Sequence, residues 1–353
     1  MESLELYKSH IVPVSMSGRE ALQTLDNLPE GHPRTLFVTN DHRMVGSLSY
    51  GDIRRGLLNG SEITDRLDKY FNKSFQSLTK DQVSPGALRE FRNKEMWLLP
   101  VLNGNKEIID IIDLKNTYTV IPASAVIMAG GRGERLKPLT DTLPKPMLKV
   151  GDKPIIEINI DRLIKFGIKK FYISVRYLSE KIVEHFGDGS SRNVSIEYIH
   201  EEEPLGTIGA CCKIENLDSD HLLVMNSDIL TNIDFEDLYN FYKSKQAVMC
   251  VASIPYNYQL PYGVLQHTAD DFVTGLVEKP AYTYYANAGI YILNKELIRK
   301  IPSGQFYNAT DLMQRLIDEG QKLLHYPILQ YWLDIGKYED YLRAQQDYKH
   351  LNF

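Results

Sequence analysis

From residue 125 onward, short strand-like runs alternate with helical stretches, and this alternation restricts the fold more than any other feature of the chain. The strand-like runs, rich in Val, Ile and aromatics, are residues 125–129, 171–175, 194–199, 222–225, 247–254 and 286–293. Helical stretches at 155–166, 178–186, 206–214 and 235–245 lie between them, most opened by Pro, Ser, Asp or Gly. Such an order predicts a doubly wound α/β sheet, whose ligands bind beyond the carboxyl ends of the strands. The chemistry is therefore expected just after Ala129, Ile199 and Met225.

The first of those places carries the stretch Val126-Ile-Met-Ala-Gly-Gly-Arg-Gly-Glu-Arg-Leu-Lys-Pro-Leu-Thr140, with Pro144-Lys-Pro-Met147 behind it. A glycine cluster after a strand, followed by spaced cations, suits a backbone cradle for a nucleoside triphosphate. A P-loop would close on Gly-Lys-Ser or Gly-Lys-Thr, which is absent here. A dinucleotide fingerprint needs a third glycine running into a helix, whereas Gly131-Arg-Gly-Glu-Arg-Leu-Lys-Pro lacks it and brings Pro138 instead.

Composition excludes several functions. The net charge of -6 gives no basic excess for nucleic acid or an anionic membrane, and no apolar stretch is long enough to span a bilayer. A cytoplasmic protein of two domains is expected, its length of 353 residues being ample for both. Three cysteines, Cys211, Cys212 and Cys250, and scattered histidines match neither a disulfide framework nor zinc spacing, so buried free thiols are expected.

Residues 10–116 read as one unit written twice: strand, helix, strand, turn, strand and helix in the first copy, then helix, strand, turn, strand and a polar tail in the second. Two such halves are expected to cover each other's sheet faces in one domain. Gly46-Ser-Leu-Ser-Tyr-Gly-Asp-Ile is similar to the end of a CBS motif, and the paired copies resemble a CBS module. That resemblance implies an α+β CBS pair over residues 1–118, with Ser49 and Asp52 gripping an adenine nucleotide and homo-oligomerisation through the pair. The second copy has Asp110, Asp113 and Asn116 where Gly46, Ser49 and Asp52 stand, which leaves a packing module without ligand as the alternative. A linker at 119–123 and a second domain at 124–353 follow.

The loop itself is similar to the signature of the sugar-1-phosphate nucleotidyltransferases, [LM]-A-G-G-x-G-x-R-L-x-P-L-T followed by P-K-P-M, and matches it without a gap. The resemblance implies a Rossmann-like, GT-A-like doubly wound mixed sheet. In it Ala129, Gly130, Gly131 and Gly133 would cradle the nucleotide, Arg135 would neutralise the departing pyrophosphate and Lys145 would hold the α-phosphate. Glu201-Glu-Glu-Pro-Leu-Gly206-Thr207 resembles the base-recognition segment, and a carboxylate, which only accepts hydrogen bonds, suits the two-donor edge of guanine. Three adjacent glutamates leave the choice among them open. Asp228, at the end of an apolar run, and Asp334 resemble the family's magnesium-binding pair, two carboxylates that substrate phosphates would complete. Gly263, Glu278, Lys279 and Asn287 occur in the order of the family's sugar-phosphate segments. The order of parts is similar to that of CBS-containing guanylyltransferases of legionaminic acid biosynthesis, which implies GTP and glucosamine 1-phosphate as substrates. Mannose or heptose 1-phosphate, CTP or UTP, and a non-catalytic nucleotide sensor are the alternatives. The tyrosines at 282, 284 and 285, with Tyr331-Trp332, are expected to serve core and sheet packing.

Overall fold

The computed structural model describes residues 2–215, 217 and 219–351, which divide into two compact units, Met1–Val120 with Lys165–Gly167, and Ile121–Ile164 with Ile168–Phe353. The first unit runs α1 (Glu2–Leu6), β1 (Ile11–Pro13), α2 (Gly18–Asp26), β2 (Thr35–Asn40), β3 (Arg43–Ser49), α3 (Tyr50–Leu58), β4 (Leu78–Thr79), α4 (Pro85–Asn93), β5 (Leu98–Leu102) and β6 (Ile108–Asp113). It contains two three-stranded sheets, β1-β2-β3 and β4-β5-β6, each with a parallel pair followed by an antiparallel one. The register slips at Val38/Thr39 in one and at Val101/Leu102 in the other, the same place in each copy. Strand alternation divides the side chains: Leu36 and Val38 pack inside the first half, while Phe37, with Met44, joins Leu98, Leu102 and Ile111 of the second. Where the first copy starts α3, the second turns around Asp113, whose carboxylate accepts from the Lys115 amide, the Asn116 side chain and the Tyr7 hydroxyl.

The second unit comprises β7 (Ser124–Met128), β8 (Lys149–Val150), β9 (Lys153–Pro154), α5 (Ile155–Lys165), β10 (Lys170–Val175), α6 (Ser179–Phe186), β11 (Ser195–His200), β12 (His221–Asn226), β13 (Ile229–Thr231) and α7 (Phe235–Ser244). It continues with β14 (Met249–Gln259), β15 (Val264–His267), β16 (Val273–Val277), β17 (Ala281–Asn294), α8 (Ala309–Asp318), β18 (Leu323–Pro327), β19 (Trp332–Asp334) and α9 (Tyr338–Asp347). A seven-stranded mixed sheet, ordered β11-β10-β7-β12-β17-β14-β18, forms its centre. β11, β10, β7 and β12 are mutually parallel, and β17 runs antiparallel to both its neighbours. β7, β10 and β12 are apolar on both faces and buried, as a sheet layered between helices requires, whereas the edge strand β11 alternates exposed and buried residues. The chain places β10 on one side of β7 and β12 on the other, so the crevice between β7 and β12 is the topological switch point.

Two expectations need correction. The helix expected at 206–214 is a short 3-10 segment, Gly209–Lys213. Gly206 is left-handed there, and the Ile208 and Gly209 amides donate to the Tyr307 carbonyl instead of to a preceding helical turn. The tyrosines 282, 284 and 285, expected in core and sheet packing, do lie on a sheet strand but outside the core, 40%, 64% and 53% exposed. They lie on the outer half of β17, which leaves the main sheet paired with β14 alone. Tyr331 and Trp332 are half-buried, the indole donating to the Ala288 carbonyl.

Candidate active site

An open cleft with about 760 Å³ of empty space lies at the carboxyl ends of the parallel strands. Gly130 and Gly131 after β7, Arg176 after β10, Glu201 after β11, and Asn226, Ser227 and Asp228 around the end of β12 line it, with Lys145, Gly206, Thr207 and Phe306. Of the expected nucleotide residues, Gly130, Gly131, Glu201, Gly206 and Thr207 therefore meet in one place. Ala129 is buried beneath them, its amide bound to the Ser174 carbonyl. Gly133 is left-handed, and a Cβ on it would stand 2.8 Å from Lys145 Cβ; Thr140 donates to its carbonyl at 2.9 Å. The loop is thus folded tightly enough to carry Lys145 into the cleft.

Charge gathers at the β12 end. Lys145, held between buried Pro144 and Pro146, forms an ion pair with Asp228 through Oδ2. The other oxygen, Oδ1, is buried and has no hydrogen-bond partner among the described residues. β13 pairs with β19 so that Ile229 faces Asp334, and the Ile335 amide donates to the Asp228 carbonyl at 3.0 Å, which brings both aspartates together. Partial burial, and then the charge of Asp228, raise the Asp334 carboxyl above its usual range, with Lys145 and Arg135 opposing. Arg135 reaches this corner from the turn Glu134–Leu136: a Cβ on Gly336 would lie 3.5 Å from Asp334 Oδ2 and 3.7 Å from Arg135 Nη1. Leu136 anchors that turn in a cluster with Leu333 and Ile335. The side-chain amide of Asn159 on α5 donates to the Ile229 carbonyl at 2.8 Å, fixing the turn that presents Asp228.

The opposite end of the cleft is built differently. Glu201 is buried, and both its oxygens are engaged by the chain: Oε1 accepts from the Ser174 hydroxyl and Oε2 from the Leu205 amide at 2.9 Å. Gly206 fits because a Cβ there would meet the Tyr307 carbonyl at 2.6 Å. The Thr207 hydroxyl accepts from the Ala309 amide at 2.9 Å, so the loop is stitched to the start of α8. Residues 305–309 and Phe306 were not anticipated, although Asn308 and Asp311 form a capping box whose spacing is legible as a helix start.

Gly263, Glu278, Lys279 and Asn287 are not among the residues lining the cleft. The first three stand at the ends of the β15-β16 hairpin, all exposed, with Glu278 against Gly263. Asn287 lies closer: its side chain accepts from the Gly289 amide at 2.9 Å, and a Cβ on Gly289 would meet the cleft residue Asn226 at 2.6 Å. Ser49 and Asp52 belong to the first unit, where they form the capping box of α3; Asp52 Oδ2 accepts from the Ser49 amide at 2.8 Å and from its hydroxyl at 2.6 Å, while Oδ1 takes Arg55. Cys211 and Cys250 are buried free thiols, Cys250 with its pKa pushed up to about 12 by burial, and Cys212 is partly exposed. Among the described residues, no helix is long and apolar enough to cross a membrane.

A model of the nucleotidyl transferase family matches residues 124–350, and the chain belongs to that family. It is 32% identical over 228 residues to a mannose-1-phosphate guanylyltransferase of Mycobacterium tuberculosis, covering 63% of this chain and 64% of that protein. It is 31% identical over 239 residues to a UTP-glucose-1-phosphate uridylyltransferase of Synechocystis sp., covering 62% of each. The chain thus spans less than two thirds of the length of either relative. A Bacillus anthracis protein assigned as a glucose-1-phosphate thymidylyltransferase and crystallised with sucrose shares the fold, with a TM-score of 0.53 at 24% identity over 65% of this chain and 97% of that one.

Proposed function

We propose that the second unit transfers a nucleotidyl group from a nucleoside triphosphate, GTP by preference, to the phosphate of a hexose 1-phosphate. A phosphate oxygen of the sugar attacks the α-phosphorus, the α-β anhydride bond breaks, and pyrophosphate leaves with the electron pair. The observation that carries this reading is the convergence of Gly130, Gly131, Lys145 and Asp228 in one cleft, with Arg135 and Asp334 at the same end. The nucleophile is already an anion, so the work is positioning and neutralisation, which Lys145 and Arg135 supply. Asp228 and Asp334 suit a hard cation, since one buried oxygen of Asp228 lacks a partner. They would hold Mg2+, which when bound supplies charge neutralisation for the triphosphate. The relatives are named for mannose 1-phosphate with a guanylyl donor and glucose 1-phosphate with UTP, so both acceptors, with glucosamine 1-phosphate, belong in the test. Four triphosphates against these three sugar phosphates, read by pyrophosphate release, should give the highest kcat/KM with GTP. Absence of sugar-dependent pyrophosphate in every combination would overturn the enzymatic reading and favour a sensor.

The first unit is better suited to packing than to gripping a nucleotide through Ser49 and Asp52, because those side chains are already committed to α3 and Arg55. Asp52→Ala is expected to cost about 1 kcal/mol of stability as a lost cap. AMP should leave the melting temperature of the wild type unchanged. An AMP-dependent rise that Asp52→Ala removes would restore the ligand site.

A further inference from the structure

Resting on the guanine preference proposed above, we infer that Arg176 is the residue that selects the base, by donating two hydrogen bonds to the O6 and N7 edge of guanine. Arg176 follows the last residue of β10 and lines the cleft. Its Nε is shut off from solvent and has no hydrogen-bond partner among the described residues. Glu201 lines the same end, each of its oxygens already accepting one hydrogen bond, from Ser174 and from the Leu205 amide, and among the described residues no ion pair joins it to Arg176. An N–H in such a position has lost water without gaining an acceptor, a cost that a ligand's acceptor would remove, while the rest of the half-buried side chain stays within reach of the cleft.

Strand order decides which part of the ligand that is. The cations suited to phosphate, Lys145 and Arg135, and the carboxylates suited to a hard cation, Asp228 and Asp334, cluster at the ends of β12 and β19. β10 and β11 lie on the other side of β7. With the triphosphate at the β12 end and the glycine loop after β7 in the middle, the base extends to the β10-β11 end, where Arg176 stands. A planar fork of donors fits two adjacent acceptors. Guanine presents O6 and N7 side by side; adenine pairs N7 with a donor, cytosine offers a donor, and uracil or thymine offers a single carbonyl on that edge. Arg176 therefore favours guanine over the other four bases through its own geometry, and Glu201 serves to hold the loop that closes this end.

The test uses the full chain with GTP, ITP, 7-deaza-GTP and UTP, measuring kcat/KM by pyrophosphate release for wild type, Arg176→Ala and Arg176→Lys, with melting temperatures as a control. 7-Deaza-GTP lacks N7 and ITP lacks only the exocyclic amine. Wild type should accept ITP nearly as well as GTP and lose roughly tenfold to a hundredfold with 7-deaza-GTP, the range of one bidentate base contact. Arg176→Ala should lose a similar factor with GTP and no longer distinguish 7-deaza-GTP, while Arg176→Lys recovers only part. If GTP is used but wild type treats 7-deaza-GTP as GTP, or if Arg176→Ala slows every triphosphate equally, base selection by Arg176 is overturned and GTP use stands. Discrimination against ITP without discrimination against 7-deaza-GTP would return the role to the carboxylate of Glu201. Activity with UTP and none with GTP would overturn both the donor assignment and this inference.

Discussion

Asp228→Asn is expected to lower kcat for pyrophosphate release by about a thousandfold while leaving the fold intact, the scale of losing one preorganised electrostatic contact at a reacting phosphate or more. The amide keeps the volume of the carboxylate but removes the charge that faces Lys145 and Asp334. Its effect on the melting temperature should be modest, because loss of the Lys145 ion pair is offset by relief of the repulsion from Asp334 and by a buried oxygen that already lacks a partner. Lys145→Ala should match it in rate, since the two side chains form one ion pair at the end of the cleft. A kcat for Asp228→Asn within about tenfold of wild type would remove Asp228 from the machinery and with it the account of charge neutralisation given above.

Gly133→Ala and Gly131→Ala should part company just as sharply. Gly133 has φ +65, and its added Cβ would press on Lys145 Cβ at 2.8 Å and on Thr140 Cγ2 at 3.1 Å. Left-handed backbone alone costs an alanine about 1–2 kcal/mol. The variant is therefore expected to be less stable and, with Lys145 displaced, to lose most of its kcat. Gly131 has nothing within 4 Å of an added Cβ, so its alanine variant should melt like wild type and show its defect as a raised KM for the nucleotide, if the ligand approaches the backbone there. Equal behaviour of the two variants, in melting and in kinetics, would sink the view that the loop is a backbone cradle with Lys145 folded beneath it.

The parts of this molecule governed by local pattern were open to inspection in the sequence. β7, β10 and β12 are short apolar runs, and their carboxyl ends follow from the alternation with helices, so the cleft could be located before the fold was known. The twofold repeat was equally readable, and the structure adds that both sheets slip register at matching places, after Val38 and after Val101. Contacts between distant segments were not. That Glu201 would be claimed by Ser174, and Thr207 by Ala309, depends on which strands become neighbours and on a helix start more than a hundred residues later. Glutamate in a charged loop reads as an available acceptor until its partners are known. Arg176 escaped notice for the complementary reason: one arginine after a strand looks like ordinary surface charge, and only its unpartnered Nε beside the cleft sets it apart. Gly263, Glu278 and Lys279 do not line the cleft, and order along the chain says nothing about how far a hairpin carries its residues from the sheet; Glu278 and Lys279 sit at the exposed end of β16.

The outer half of β17 has a consequence for how this chain can vary over generations. From Ala288 inward the strand is walled by core on both faces, so nearly any change of volume there would be felt. From Ala281 to Ala286 it is held by backbone pairing to β14, with exposed side chains, Tyr282 opposite Tyr258 and Tyr284 opposite Tyr256. Those outer positions ask for an extended backbone and a few surface contacts, such as the Thr283 hydroxyl on Asn257 and Tyr285 beside His325. Descendants can rewrite their chemistry freely while the inner residues stay nearly still, so one continuous strand can drift at two rates.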